Sequence, residues 1–454
     1  MGQSLSMAQP MKIAIVGSGI SGLAVAHTLQ GQADISLFEA ADYFGGHTHT
    51  VDVTLPGPQG ALTHGVDTGF LVFNERTYPN LIKLLAELKV ETAKSDMSFS
   101  VQVPGPGGQT GLEWSGNSLN AVFAQRANLF NGRFLRMLGD LLRFNALTTR
   151  IAQQDQEASL VQPLGEFLRT HRFSDEFRDW YFLPMMGCIW SCSTEQMLAF
   201  PVSTMVRFCH NHGLLQILNR PQWFTVAGGA KHYVEKIVAG IADKRLRTPV
   251  QLIERDESGV RIITEGRAER FDKVVIATHS DQALAMLSAP SLAERNTLGA
   301  MRYQRNRAVL HTDASVLPSR PIAWAAWNYE RAAASSQSGG RVCLHYLLNK
   351  LQPLPFTQPV VVSLNPVRPI APAQILGEFD YDHPVFDQAA VRAQSAMLLL
   401  QGNQHTYYCG AWMGYGFHED GLKAGLGVAR ALLRQTHAGE NDRPIQRVRA
   451  GIAA

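Results

Sequence analysis

The sequence predicts an α/β fold, a discontinuous unit carrying an inserted helix-rich and β-sheet unit, and three observations carry that prediction. An apolar strand runs directly into spaced glycines and then a helical pattern, Lys12-Ile-Ala-Ile-Val-Gly17-Ser-Gly19-Ile-Ser-Gly22-Leu-Ala. A second short strand, Ile35-Ser-Leu-Phe38, ends in the acidic residue Glu39. From about residue 97 to 220 this rhythm gives way to a helix-rich stretch with few glycines, and it resumes at Phe224-Thr-Val-Ala-Gly228-Gly229.

The first stretch reads as strand, tight turn and helix, the Rossmann-like G-x-G-x-x-G arrangement of a dinucleotide site. Gly17 permits the turn, Gly19 leaves room for a pyrophosphate against the backbone, and Gly22 lets helix and strand sit close. The free N–H groups of the helix's first turn then face the phosphates. Glu39, ending the second strand, is placed to accept hydrogen bonds from ribose hydroxyls.

Composition narrows the class. The chain's 454 residues suffice for two or three domains' worth of core, and 45% hydrophobic with 17% charged is an ordinary globular balance. A net charge of +3 gives no global pull toward nucleic acid. The five cysteines, Cys188, Cys192, Cys209, Cys343 and Cys409, form neither a disulfide framework nor a zinc-ligand spacing. A reducing, cytoplasmic setting without a metal is expected. The first ten residues lack a basic start and an apolar run, and no window reaches the ~18 apolar residues of a spanning helix.

After Glu39-Ala40 a loop carries Gly45-Gly46-His47-Thr48-His49, a second place where backbone can approach a ligand closely. Val66-Asp67-Thr68-Gly69-Phe70 leads to a helix expected over 79–88, with Leu81, Leu84, Leu85 and Leu88 on one face. In the insert, strand-like pieces near 99–103 and 112–114 precede a helix in which Phe134, Leu135, Met137, Leu138, Leu141 and Leu142 recur at helical spacing. Arg126, Arg133, Arg136, Arg143 and Arg150 fall mostly on the opposing arc, the pattern of a basic amphipathic surface able to meet an anionic membrane.

Beyond the insert, a helix is expected to 241, then strands near 250–253 and 260–264. The apolar run 271–278 ends in small residues, as a buried strand under a ligand does. Strands at 308–311, 322–329, 341–348 and 360–364 suggest the sheet floor of a substrate cavity. A strand and turn at 406–410 precede a glycine-rich approach to a last helix reaching about 435, with 441–454 as a tail. The expected organisation is one unit of 11–96, 221–300 and 396–440 and a second of 97–220 and 301–395. Only one full fingerprint occurs, so a second, nicotinamide-binding fold is not expected and the electrons are expected to come from the substrate.

Together these motifs resemble the flavin-containing amine oxidase superfamily, which includes protoporphyrinogen oxidases and carotenoid desaturases, over roughly residues 11–90, 220–290 and 405–435. The resemblance implies an FAD-dependent oxidoreductase with FAD, not NAD, in the fingerprint. It implies non-covalent binding, since no cysteine sits where some relatives make a covalent flavin link. The cofactor contacts it implies are Gly17, Gly19, Ser21, Gly22, Glu39, Ala40, Gly45, Gly46, His47, Thr48, Gly69, Phe70, Thr278, Gly410, His418, Glu419 and Gly421, with Val250 offering its backbone to adenine. Gly228-Gly229 resembles the family's second glycine pair. The stretch from Phe417 to Gly421 resembles the motif that places a helix N-terminus at the flavin pyrimidine ring, where its N–H groups stabilise the charge of the reduced ring.

The departures bear on the substrate. Ala41 and His47 stand where relatives often carry arginine, Ala411-Trp412 replaces an acidic position, and Phe417 replaces a Tyr of the amine-guiding aromatic cage. Hydride transfer needs position more than an acid or base, so no catalytic dyad is required. Lys350 is the candidate for a water-holding lysine that the resemblance implies, and His47, His49 and His418 are candidates for proton shuttles or for satisfying cofactor oxygens. Cavity-wall candidates are Phe70, Phe73, Asn74, Trp324, Trp327, Tyr329, Tyr346, Trp412, Tyr415 and Phe417, each of which would serve equally as core. Three readings follow: oxidation of an amine; desaturation or isomerisation of a C–C unit in a fatty-acyl or isoprenoid chain; and FAD binding without turnover, as a redox sensor. The expected partner is a small hydrophobic substrate, with no nucleic acid and a peripheral membrane or lipid contact through 126–150.

Overall fold

The computed structural model describes residues 10–105, 111–154, 162–190, 193–213, 221–331 and 342–438. Five parallel strands form one sheet, in the order Asp243–Arg245, Asp34–Phe38, Lys12–Val16, Lys273–Ile276 and Thr406–Tyr408. Lys12–Val16 lies at its centre, with Ile13 opposite Ile35 on one side and Lys273 on the other. Ile13, Ala14 and Ile15 are fully buried, the both-faces-covered state that makes a parallel strand apolar throughout. Three distant stretches of sequence therefore meet in one sheet, each supplying a short apolar run that gains burial only beside the others.

Helix Ile20–Leu29 covers this sheet, and the last helix, His418–Ala438, packs along it. Glycines set that approach: a Cβ on Gly425 would lie 2.3 Å from the Ser21 carbonyl oxygen, and one on Gly421 2.8 Å from Ile20 Cγ2. An antiparallel hairpin, Thr50–Gly57 with Gly60–Asp67, follows the first βαβ unit. Helix Pro79–Glu87 follows in turn, buried through Leu81, Leu84 and Leu85.

A second sheet has seven strands, in the order Ile375–Val385, Arg302–His311, Val361–Leu364, Cys343–Leu347, Trp327–Glu330, Phe99–Val103 and Leu112–Ser115. The join is parallel, Trp327 lying opposite Phe99. In this sheet Glu330 is buried beside His345 (Oε2 to Nε2, 2.9 Å), and the exposed Arg368 reaches it from outside (Oε1 to Nε, 2.8 Å). His345 also meets Ser363 Oγ at 2.6 Å. Burial works against both charges of the Glu330–His345 pair, yet their hydrogen bond, with Cys343 beside His345 and Arg368 beside Glu330, outweighs it. His345 is pushed up to about 9 and Glu330 is held below the usual carboxylate range.

Three expectations change. The strand expected at 322–329 begins only at Trp327, because Pro321–Ala323 forms a 3-10 turn and proline cannot donate to a ladder. The run expected as one strand over 271–278 is divided. Arg267–Phe271 ends a three-stranded antiparallel sheet and Lys273–Ile276 enters the parallel one. Ile375–Val385, on the sheet edge, is absent from the expected strands although it alternates Phe379, Tyr381 and His383 with Glu378, Asp380 and Asp382. Its Pro384 is tolerated at an edge.

The longest helix before residue 220, Gly132–Gln153, is capped by Asn131, whose Oδ1 accepts from the N–H of Arg133 (3.1 Å) and Phe134 (3.3 Å). It buries Phe134, Met137 and Phe144, the last packed among Phe173, Phe177 and Phe182. No helix among the described residues is long and apolar enough to cross a membrane. Cys192 and the tail at 441–454 lie outside the described residues.

Candidate active site

Where the central strand Lys12–Val16 ends, Gly17 turns the chain with φ +99°, its missing Cβ only 2.9 Å from the Ala277 carbonyl oxygen. Gly22 is the helix–strand contact, since a Cβ there would fall 2.0 Å from the Gly17 carbonyl oxygen. Gly19 instead faces open space and lines a cavity of about 530 Å³. The Gly45-Gly46 loop returns to the same place: Gly45 N–H donates to the Ser18 carbonyl at 3.1 Å, and a Cβ on Gly46 would lie 3.1 Å from Gly19 Cα. Two glycine loops in backbone contact leave a concavity walled by main chain, the form that receives an anionic group. Glu39 closes its rim, accepting from Ser18 N–H at 2.9 Å, Ser18 O–H at 2.5 Å and Ala41 N–H at 2.9 Å.

Asp67 locks the next segment in place. Its carboxylate accepts from Ala230 N–H (2.9 Å), Gln352 Nε2 (2.8 Å) and the Thr50 hydroxyl. Burial pushes its pKa up to about 7, with those hydrogen bonds pulling the other way. The Gly228-Gly229 pair is thereby held as a turn (φ +75° and +109°) under the site, and neither glycine lines the cavity.

Phe70 emerges from the Asp67 segment and stacks on His418, ring centroids 3.9 Å apart and 12° from parallel. His418 opens the last helix and meets Tyr233 OH through Nε2 at 2.7 Å; Tyr233 in turn meets the Thr48 hydroxyl. Burial drives His418 down to about 3, so its imidazole is neutral. Asp420 accepts from the N–H groups of Tyr415 and Phe417, both at 3.0 Å, and so fixes the loop that enters the helix. Beyond this point the walls are aromatic. Phe417 stacks on Phe208 at 4.8 Å, and Trp327 and Tyr346 meet edge to face at 4.9 Å.

A histidine cluster sits on the glycine side of the cavity. His47 lies 5.6 Å from His383 and 6.1 Å from His279, centroid to centroid. Burial first, then mutual repulsion among these rings and His418, brings His47 to about 3. Burial and His279 bring His383 to about 4. The group presents neutral imidazoles in the place where a guanidinium was to be expected.

Of the candidates read from sequence, Gly17, Gly19, Ser21, Glu39, Gly45, Gly46, His47, Gly69, Phe70, Thr278, Trp327, Tyr346, Gly410, Trp412, Phe417 and His418 line this one cavity. Others are placed elsewhere. Lys350 pairs with Asp96 at 3.7 Å and does not line it. Asn74 is a turn residue whose Oδ1 accepts from the N–H groups of Arg76 and Thr77, and Tyr329 is buried core. Glu419 turns away to cap helix Pro79–Glu87, accepting from Asn80 N–H and Leu81 N–H at 3.0 Å each. Gly22 and Gly421 serve helix packing; Thr48 braces Tyr233; Ala40, Val250 and Tyr415 are off the lining, Val250 preceding strand Leu252–Asp256. His279, Tyr303, Tyr381 and His383 are lining residues that no sequence motif marks; the alternation of Ile375–Val385 is the signal that would have found the last two.

The chain matches the family of flavin-containing amine oxidoreductases over residues 20–314. No curated protein matches its sequence. Among solved structures it is similar to a CLA-producing fatty acid isomerase from P. acnes, at 16% identity over 94% of this chain and 99% of that one, TM-score 0.63. It is similar to cyclohexylamine oxidase from Brevibacterium oxydans IH-35A, at 18% identity over 94% and 100%, TM-score 0.62. A putrescine oxidase bound to putrescine gives 14% identity over 93% and 99%, TM-score 0.65. At these identities the structural likeness is one of fold. On the match across residues 20–314, the chain belongs to the flavin-containing amine oxidoreductase family and is a flavin-dependent oxidoreductase.

Proposed function

We propose that this protein binds FAD non-covalently along the cavity and takes a hydride from a C–H bond of an apolar, lipid-like small molecule. The observation that carries the substrate class is the segregation of charge in the cavity. Its acidic lining residues are Glu39 at Ser18, Asp380 paired with Arg305, and Asp382, whose backbone faces His47. Among the described residues, no carboxylate lines the end walled by Met97, Ile189, Phe208, Trp223, Trp327 and Phe417; Asp420, behind Phe417, is held by the N–H groups of Tyr415 and Phe417 and does not reach the lining.

Fit to the cofactor rests on the glycine cradle, whose open side at Gly19 is where a pyrophosphate needs space. Glu39 would exchange its contacts to Ser18 for ribose hydroxyls, and the neutral His47 would donate to a phosphate oxygen in place of arginine. The lining thiol, Cys188, is pushed well up by burial and stays protonated, and Cys409 beside Gly410 is pushed up to about 12, which supports a non-covalent site. FAD supplies a hydride acceptor when bound. Phe417, Trp327 and Tyr346 exclude water and orient the substrate, and the N-terminus of helix His418–Ala438 stabilises negative charge beside Phe417. We assign 11–96, 221–300 and 396–440 to cofactor binding and 97–220 with 301–395 to the substrate.

Amine oxidation is the second reading, favoured by the family of flavin-containing amine oxidoreductases that the chain matches. Anaerobic mixing of the yellow protein with the organic-soluble and the amine fractions of a cell extract separates the two. Bleaching of flavin absorbance by the organic-soluble fraction alone is expected, and bleaching by the amine fraction alone would reverse the assignment.

A further inference from the structure

Six of the eleven large apolar side chains that the described residues expose belong to one neighbourhood, namely Leu119, Leu129, Phe130, Leu135, Leu142 and Ile322. The 3-10 turn Arg126–Phe130 packs against helix Gly132–Gln153, and the turn Pro321–Ala323 against Leu119–Val122; Arg126 joins the two pairs by donating to the carbonyls of Asn120 and Phe123. Phe130 is 91% and Leu119 81% exposed. A concentration of this kind marks an interaction surface.

Charge gives the surface its sign. Leu135 and Leu142 recur at seven residues, and Arg136, Arg143 and Arg150 run beside them at the same interval along the helix. Residues 116–153 hold five arginines and one acidic residue, Asp140, a net +4 against +3 for the whole chain, so everything else sums to −1. Asp140 is engaged by Arg143 at 3.0 Å and by Ser174 N–H at 2.9 Å. Arg136 and Arg150 carry no ion pair among the described residues.

We propose that this face is a peripheral docking surface for an anionic phospholipid bilayer. Phe130 and Leu119 enter the interface while the arginines meet head-group phosphates, the division of labour of interfacial helices. A second copy of the chain is disfavoured as the occupant, because a two-fold contact would set the row of Arg136, Arg143 and Arg150 against itself.

The test is sedimentation of the flavin-loaded protein with vesicles of phosphatidylcholine alone and of phosphatidylcholine mixed with phosphatidylglycerol, at low and high salt. Binding is expected to the mixed vesicles, weakened by salt. The Arg136→Gln/Arg150→Gln pair should bind about thirty-fold more weakly, on the basis of roughly 1 kcal/mol per arginine. Phe130→Ser should weaken binding at both salt concentrations. Both variants should keep the parent's flavin spectrum and thermal midpoint, which separates lost docking from lost folding. Equal binding to neutral vesicles, absence of binding to mixed ones, or a parent dimer in sedimentation velocity that Phe130→Ser returns to monomer would each overturn the proposal.

Discussion

Phe70 and His418, from opposite ends of the chain, lie ring on ring at 3.9 Å, and the stack closes one side of the cavity with two uncharged surfaces. Neither segment holds that position alone. Phe70 is presented by the loop that Asp67 ties to Ala230, and His418 by a helix that rests on Ile20–Leu29 through Gly421 and Gly425. The site is thus only as rigid as those two anchors.

Glu39 is the anchor for the cofactor's ribose in our reading. Glu39→Ala removes a charge-assisted hydrogen bond, about 1.5–3 kcal/mol, and FAD affinity should fall on the order of ten- to hundred-fold. Flavin titration by fluorescence checks this, and a variant that retains FAD as tightly as the parent would contradict the assignment.

Acid precipitation should leave the yellow chromophore in the supernatant, because the thiol lining the cavity, Cys188, is buried and protonated. Chromophore that stays with the pellet after washing would show a covalent bond.

Two buried groups should give opposite slopes of stability with pH. Asp67 has its folded pKa raised to about 7 from 3.8, so between these values the folded chain binds the extra proton and Asp67 costs stability as pH rises. His47 has its folded pKa lowered to about 3 from 6.5, so in that window the unfolded chain binds the extra proton and stability is lost as pH falls. Relative to parent, Asp67→Asn should therefore gain in urea midpoint from about pH 4 to 7, and His47→Asn should gain from about pH 6.5 downward. Parallel profiles for the two variants would show that neither shift exists.

Gly425→Val should uncouple the last helix from the first, since even a Cβ there lies 2.3 Å from a backbone carbonyl that cannot move aside. The expected result is loss of FAD together with a cost of at least ~1–3 kcal/mol, as overpacking brings. Gly427→Val, on open space, should stay within about 0.5 kcal/mol of the parent and keep FAD.

Glu330→Gln leaves His345 and Arg368 without their buried counter-charge, and should cost about 3–5 kcal/mol of unfolding free energy. The cluster does not line the cavity, so the flavin spectrum of the folded fraction should be unchanged.

Much of the fold was legible because its signals are local. Gly17 and Gly22 announce a turn and a close helix–strand contact, Leu81, Leu84 and Leu85 announce one buried helical face, and Phe134 and Met137 another, although Leu135 and Leu142 of the same pattern are exposed and Phe144, outside it, is buried. The division at Asp272 was not legible, since an apolar run does not say whether it is one strand or the ends of two. The side-chain partners of Glu419 and Lys350 were not legible for a related reason: a motif names residue types, while the partner that captures a side chain, here Asn80 and Asp96, comes from far away in sequence.

By itself the sequence determined the strand–turn–helix cradle at Gly17 to Gly22, the acidic end of the second strand, and the basic apolar helix of the insert, because each is specified by neighbours within a few residues. Only the tertiary structure decided that His47, His279 and His383 share one wall, that Phe70 meets His418, and that Glu39, Asp380 and Asp382 reach the cavity lining while Asp420 does not. Those contacts are formed by burial across hundreds of residues, and a linear pattern carries no record of which distant surfaces exclude water together.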